Sequence, residues 1–179
     1  ILRYGIPAYR LPKEVLDGEL GLFTRLGVNF ELGKRVGKDI DFKKLRDEND
    51  AVLVAFGASA DKSLGIPGAD LPGVFAGYEF LEAFGEKRVK APSGKVLVIG
   101  GGNVAIDAAR TILRTGADVT IAYRRTREDL PANDAEIRGA EDEGIAFVYY
   151  AAPEEILALK NGRVGAVRFA KMKPGPIDR

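Results

Sequence analysis

Residues Lys95 to Arg125 read KVLVIGGGNVAIDAARTILRTGADVTIAYRR, and their pattern decides the fold. Val96 to Ile99 is an apolar run too short for a helix and rich in β-branched residues, which predicts a buried parallel strand. Three glycines follow, Gly100, Gly101 and Gly102, and then a helical pattern from Asn103 to about Arg114. Val104, Ala105, Ala108 and Ile112 recur at the spacing of one apolar helix face. Gly116 is placed to stop the helix, and Val119 to Tyr123 is a second β-rich run. Strand, glycine turn, helix and strand make one βαβ unit of about thirty residues.

The glycines fit a dinucleotide-binding pattern, Gly100-x-Gly102-x-x-Ala105. Gly100 allows a tight turn off the strand, and Gly102 lets backbone approach a pyrophosphate with no Cβ in the way. Ala105 keeps the helix close to the sheet. The helix start offers unpaired N–H groups and the positive end of its dipole to the phosphates. Glycines alone are weak evidence; glycines between a predicted strand and a predicted helix are stronger.

The tip of the second strand chooses the nucleotide. An NAD site usually places an acid there to bond the ribose 2′-hydroxyl. Here the tip reads Tyr123-Arg124-Arg125, with no acid until Glu128. Two guanidinium groups suit a 2′-phosphate, which they grip with charge-assisted bonds. The alternative is a pair of solvated surface arginines. The reading is NADP(H).

Composition narrows the chemistry. The net charge is +1, which gives no reason to expect nucleic acid or an anionic membrane surface as partner. No apolar run approaches the roughly 18 residues of a membrane span, and ILRYGIPAYR at the start is not a signal peptide. A cytoplasmic protein is expected. There is no Cys, so this chain can build neither a thiol redox pair nor an iron–sulfur cluster. There is no His, which removes the commonest general base and zinc ligand. Nucleophilic Cys–His or Ser–His catalysis is excluded, and no metal site or catalytic residue is assigned. Hydride transfer survives, because the cofactor carries that chemistry.

Around the central unit, Pro12 is placed to start a helix over Lys13 to Leu26, with Gly27 to end it. Val28 to Leu32 and Ala51 to Phe56 (AVLVAF) predict strands, and Phe42 to Arg46 a short helix. Residues 57 to 75 read as a Gly- and Pro-dense connecting strap, followed by a short helix from Ala76 to Phe84. After the arginines come a loop, a charged helix from Asp134 to about Glu143 whose acids read as a solvated face, and a strand from Ile145 to Tyr150. Arg110 and Arg114 also read as surface charges. Asn161-Gly162, between apolar runs, is a strong hairpin signal. KPGPIDR closes the chain as the frayed entry to a further segment.

Four stretches carry a resemblance: LRYGIPAYRLP (2–12), LGIPGADLPGV (64–74), VIGGGNVAIDAART (98–111) and YRRTREDLPA (123–132). Together they resemble the small, flavin-containing subunit of bacterial glutamate synthase and related NADP-linked flavoprotein oxidoreductases. The resemblance implies an FAD domain with an NADPH domain inserted into it, both of the Rossmann-like parallel α/β class. It implies hydride passing from NADPH to FAD, and electrons leaving to an electron-acceptor subunit or iron–sulfur protein. Residues 1–85 would be part of the FAD-type domain with its strap, and 92–179 the first part of the NADP(H)-binding domain. Gly100, Gly101, Gly102, Asn103, Val104 and Ala105 match the family's pyrophosphate loop, and Arg124 and Arg125 its 2′-phosphate clamp. Ala55-Phe56-Gly57 stands where the family commonly has Ala-Thr-Gly beside the flavin. Gly57 lets backbone approach the cofactor there, or is a plain strand-end turn. The family's own FAD fingerprint is expected upstream of Ile1, so a fragment inactive by itself is expected. Homo-oligomerisation stays open. Two other readings are a non-catalytic NADP(H)-binding module without flavin and a direct NADP-dependent dehydrogenase. The second is disfavoured, because no proton relay is evident.

Overall fold

The computed structural model describes residues 1–57, 61 and 63–175. In chain order the elements are helices α1 (Lys13–Arg25), α2 (Phe42–Asp47) and α3 (Gly77–Gly85), strand β1 (Lys95–Ile99), helix α4 (Asn103–Leu113), strand β2 (Asp118–Ala122), helix α5 (Asp134–Asp142), and strands β3 (Ala146–Val148), β4 (Ala151–Ala158) and β5 (Val164–Lys171). They form two compact units, one of residues 1–11 with 60–179 and one of residues 12–59. In the larger unit, α3 buries Phe80 and Leu81 in the same core as α4.

The larger unit is built on a parallel sheet of order β1-β2-β3, with Val96 opposite Val119, Val98 opposite Ile121 and Ile121 opposite Phe147. Those side chains share one face, and α4 lays Ile106, Ala109 and Ile112 into the same core. Alternation along the strands gives the sheet two unlike faces. The core face is covered; the other leaves Leu97 39% and Val148 49% exposed. The strand expected to be buried is therefore covered on one face only. β4 and β5 make a separate antiparallel hairpin, and Gly162 turns between them with φ +77°. Residues 67–73 of the strap lie along this hairpin, where Ile156 N–H donates to the Pro67 carbonyl and Val164 N–H to the Pro72 carbonyl, while residues 58–60 and 62 of the strap lie outside the described residues. A Cβ at Gly73 would lie 2.8 Å from Val164 Cγ1, so this glycine serves close packing. The closing KPGPIDR stretch is described only to Gly175.

In the smaller unit, α1 begins after Pro12 and ends at Leu26 and Gly27, whose φ is +88°. The Asp41 carboxylate caps α2, accepting from the N–H groups of Lys43 (2.7 Å) and Lys44 (3.2 Å). The strands expected at 28–32 and 51–56 do not form. A strand is a paired state, and neither run finds a ladder partner among the described residues. Leu53 and Phe56 are 91% and 88% exposed.

Candidate functional site

The parallel register aligns the ends of β1 and β2, so the glycine turn and the arginine tip emerge side by side. Ile99 faces Ala122, and the Gly100 N–H donates to the Ala122 carbonyl at 3.0 Å. From there each glycine has its own constraint. Gly100 sits at φ +133°, a conformation that a side chain disfavours. Gly101 is packed: a Cβ on it would lie 2.5 Å from Leu130 Cδ2 and 2.8 Å from Tyr123 Cδ2. Its carbonyl accepts from Ala132 N–H at 3.1 Å. Gly102 caps α4 in an ordinary extended conformation, and a Cβ there would point into open space.

Helix starts divide in the same way. The Asp61 carboxylate caps α3, accepting from Tyr78 and Glu79 N–H, and Asn133 caps α5. Among the described residues no side chain caps α4. Its first N–H groups lack intrahelical acceptors, as in any helix. Ala105 holds the helix close to the turn: its Cβ is 3.5 Å from where a Cβ on Gly100 would stand. Val104 is exposed and packs beside Gly77 at the start of α3. Asn103 uses its Oδ1 as an acceptor for the Asn133 N–H (2.9 Å), which ties the starts of α4 and α5 together.

The loop leaving β2 is braced throughout. Tyr123 hydroxyl donates to the Asp129 carbonyl (2.8 Å), and Asp129 Oδ2 accepts from both the hydroxyl and the N–H of Thr126. Those bonds hold the Asp129 carboxyl below its ordinary range. Arg127 makes two bonds to Glu141, at 2.7 and 2.8 Å. Arg124 is exposed and enters no ion pair among the described residues; Arg125 is half-buried. Gly57 belongs to the other unit, with φ +68° and open space at its Cβ position. The residues brought together are thus 100–105 with 124–125.

Behind the helix lies a charged cluster that sequence reasoning missed. Asp107, 5% exposed, accepts from Arg10 at 2.7 Å and from the Tyr9 hydroxyl at 3.3 Å. Burial raises its carboxyl above the ordinary value, against the pull of Arg10. Arg110 and Arg114 stand over the Tyr9 ring at 4.6 and 3.8 Å. Arg110 also pairs with Glu136 and Glu143, and Arg114 with Glu143. Arg110 is therefore half-buried and paired rather than a free surface charge, and the acids of α5 are only partly a solvated face.

A glycine turn between a parallel strand and a helix is the arrangement found in dinucleotide-binding βαβ folds. The chain matches the family described as pyridine nucleotide-disulphide oxidoreductase over residues 8–171, and belongs to it. It is 40% identical to the NADP(+)-dependent formate dehydrogenase subunit beta of Moorella thermoacetica, over 99% of this chain and 26% of that one. It is 36% identical to the glutamate synthase [NADPH] small chain of Escherichia coli, over 99% of this chain and 40% of that one. The chain thus spans less than half the length of these relatives. A 2-naphthoyl-CoA reductase structure shares the fold, with TM-score 0.63 at 18% identity over 94% of this chain and 26% of that one. No helix among the described residues is long and apolar enough to cross a membrane.

Proposed function

We propose that this chain is the NADP(H)-binding portion of a flavin-dependent oxidoreductase like the glutamate synthase small subunit. The observation that carries this reading is the pairing of two features at one sheet edge. One is the start of α4, which no described side chain caps, with open space beside Gly102; the other is the Arg124-Arg125 tip one strand away. The first helical N–H groups and the Gly102 backbone suit a pyrophosphate, and Arg124 and Arg125 suit the 2′-phosphate. Asn103 would steady the helix start through Asn133, and Asp107, neutralised by Arg10, adds little charge to repel phosphate. Bound NADPH supplies hydride, which FAD in the intact protein would accept before electrons pass to an acceptor subunit or iron–sulfur partner. Gly57, with a positive φ and no neighbour at its Cβ position, suits a close backbone approach to the flavin.

Dissociation constants for NADPH and NADH test the nucleotide assignment. Arg124→Ala should weaken NADPH binding by about tenfold, the low end for a charge-assisted bond at an exposed site. NADH binding should stay nearly unchanged, and raised salt should erode the NADPH preference. Equal affinity for both nucleotides in the unmodified chain would refute the NADP assignment.

A further inference from the structure

Tyr150 lies at φ +57°, in the left-handed region that a bulky side chain rarely adopts. It sits where the chain leaves the parallel sheet for the hairpin: β3 ends at Val148, β4 begins at Ala151, and only Tyr149 and Tyr150 join them. The hydrogen bonds around it converge on the arginine tip. Tyr150 N–H donates to the Arg125 carbonyl at 3.2 Å, and Ala151 N–H donates to the Tyr123 carbonyl at 2.9 Å. The residues on both sides of Arg124 are therefore held by two consecutive amides. Tyr150's own carbonyl accepts from Met172 N–H at 2.8 Å, which anchors the kink to the end of β5.

The two amides lie on opposite sides of the Tyr150 Cα, so rotation about its φ turns one against the other. At the observed φ of +57° both bonds form together. A regular parallel ladder would not give this pattern, because the amide opposite Tyr123 has slipped by one residue. Such irregularities re-aim side chains next to binding sites, and a strained residue persists where its surroundings over-determine it.

We propose that Tyr150 is a positioning residue for 2′-phosphate recognition. Its left-handed backbone fixes the carbonyls flanking Arg124 and so sets where Arg124 and Arg125 present their guanidinium groups. The inference rests on the NADP(H) reading of that tip. It concerns the Tyr150 backbone angle, which glycine reproduces and a β-branched residue resists.

The test measures NADPH and NADH dissociation constants for the 179-residue chain, Tyr150→Gly and Tyr150→Val, with a thermal melt of each. Tyr150→Gly should keep the NADPH-to-NADH preference within about twofold, while Tyr150→Val should reduce it by roughly fivefold or more through weaker NADPH binding alone. If Tyr150→Val does not fold, Tyr150→Thr, also β-branched, takes its place and should lower the preference by about twofold or more. Wild-type preference retained in every folded variant overturns the inference. So does an equal loss in Tyr150→Gly and Tyr150→Val, which would assign the effect to the ring. No NADPH preference in the unmodified chain overturns the underlying nucleotide reading, and this inference with it.

Discussion

Three adjacent glycines should respond to substitution in three different ways. Gly100→Ala forces a side chain into φ +133°, at about 1–3 kcal/mol of backbone strain. Gly101→Ala drives a Cβ to 2.5 Å from Leu130 Cδ2 and 2.8 Å from Tyr123 Cδ2, in a place where Leu130 is buried and cannot swing out to water. Overpacking of that kind costs about 1–3 kcal/mol. For a chain of this size each kcal/mol moves the melting temperature by about 2–4 °C, so both variants should melt several degrees low. Gly102→Val meets no neighbour. Its cost to the fold is about 1 kcal/mol or less, for replacing a favourable N-cap glycine. Its cost to binding should be larger, because the side chain would fill the open space in which the proposed pyrophosphate meets the backbone. If two N–H contacts to the pyrophosphate are lost at about 1.5 kcal/mol each, NADPH affinity falls by roughly a hundredfold. Circular dichroism melts and calorimetric titration separate the two effects. A Gly102→Val chain that binds NADPH as tightly as the unmodified one would refute the placement of the pyrophosphate.

Two further predictions concern the charged cluster behind α4. Arg10→Ala leaves the Asp107 carboxylate buried with only the Tyr9 hydroxyl as partner, and should destabilise the chain by about 3 kcal/mol in urea unfolding. Because burial already raises the Asp107 carboxyl, that variant should lose less stability than the unmodified chain as pH falls, and a parallel acid response would count against the assignment. Glu143 behaves oppositely. Its hydrogen bonds to Arg110, then Arg114, lower it from 4.5 to about 2, so its contribution is complete above pH 4.5 and is lost as pH falls towards 2. That contribution is at most about 3 kcal/mol, and Glu143→Gln should flatten the acid limb of the stability profile.

How much of this was legible follows from what each feature depends on. The βαβ unit was readable because its signals are local: an apolar run, a glycine turn, a helical period and a second run within 95–125. The hairpin at Asn161-Gly162 was readable for the same reason, since the turn residues carry its geometry. Val28 to Leu32 and Ala51 to Phe56 carry equally good local patterns, yet neither pairs, because a strand needs a neighbour that a local pattern does not reveal. KVLVI has no polar residue between Val96 and Ile99, so nothing in it indicated that only one sheet face would be covered. The pair Arg10–Asp107 joins residues 97 apart, and the left-handed Tyr150 answers to bonds from both Arg125 and Met172. Neither arises from nearest neighbours in the chain.

The arginines after β2 show how the structure narrows a motif. Arg124, Arg125 and Arg127 have the same charge and lie within four residues, so composition treats them alike. Arg127 is committed to Glu141 through two hydrogen bonds. To reach a phosphate it would have to abandon that bidentate pair, and the gain from the new contact would be offset by the loss of the old one. Arg124 is exposed and enters no ion pair among the described residues, so in the proposed site it would meet a phosphate without that loss. A substitution at Arg127 should therefore act first on the brace between the loop and α5, lowering thermal stability, and only slightly on NADPH affinity. If Arg127→Ala instead weakened NADPH by as much as Arg124→Ala at an unchanged melting temperature, the clamp would lie one step further along the loop than Arg124 and Arg125.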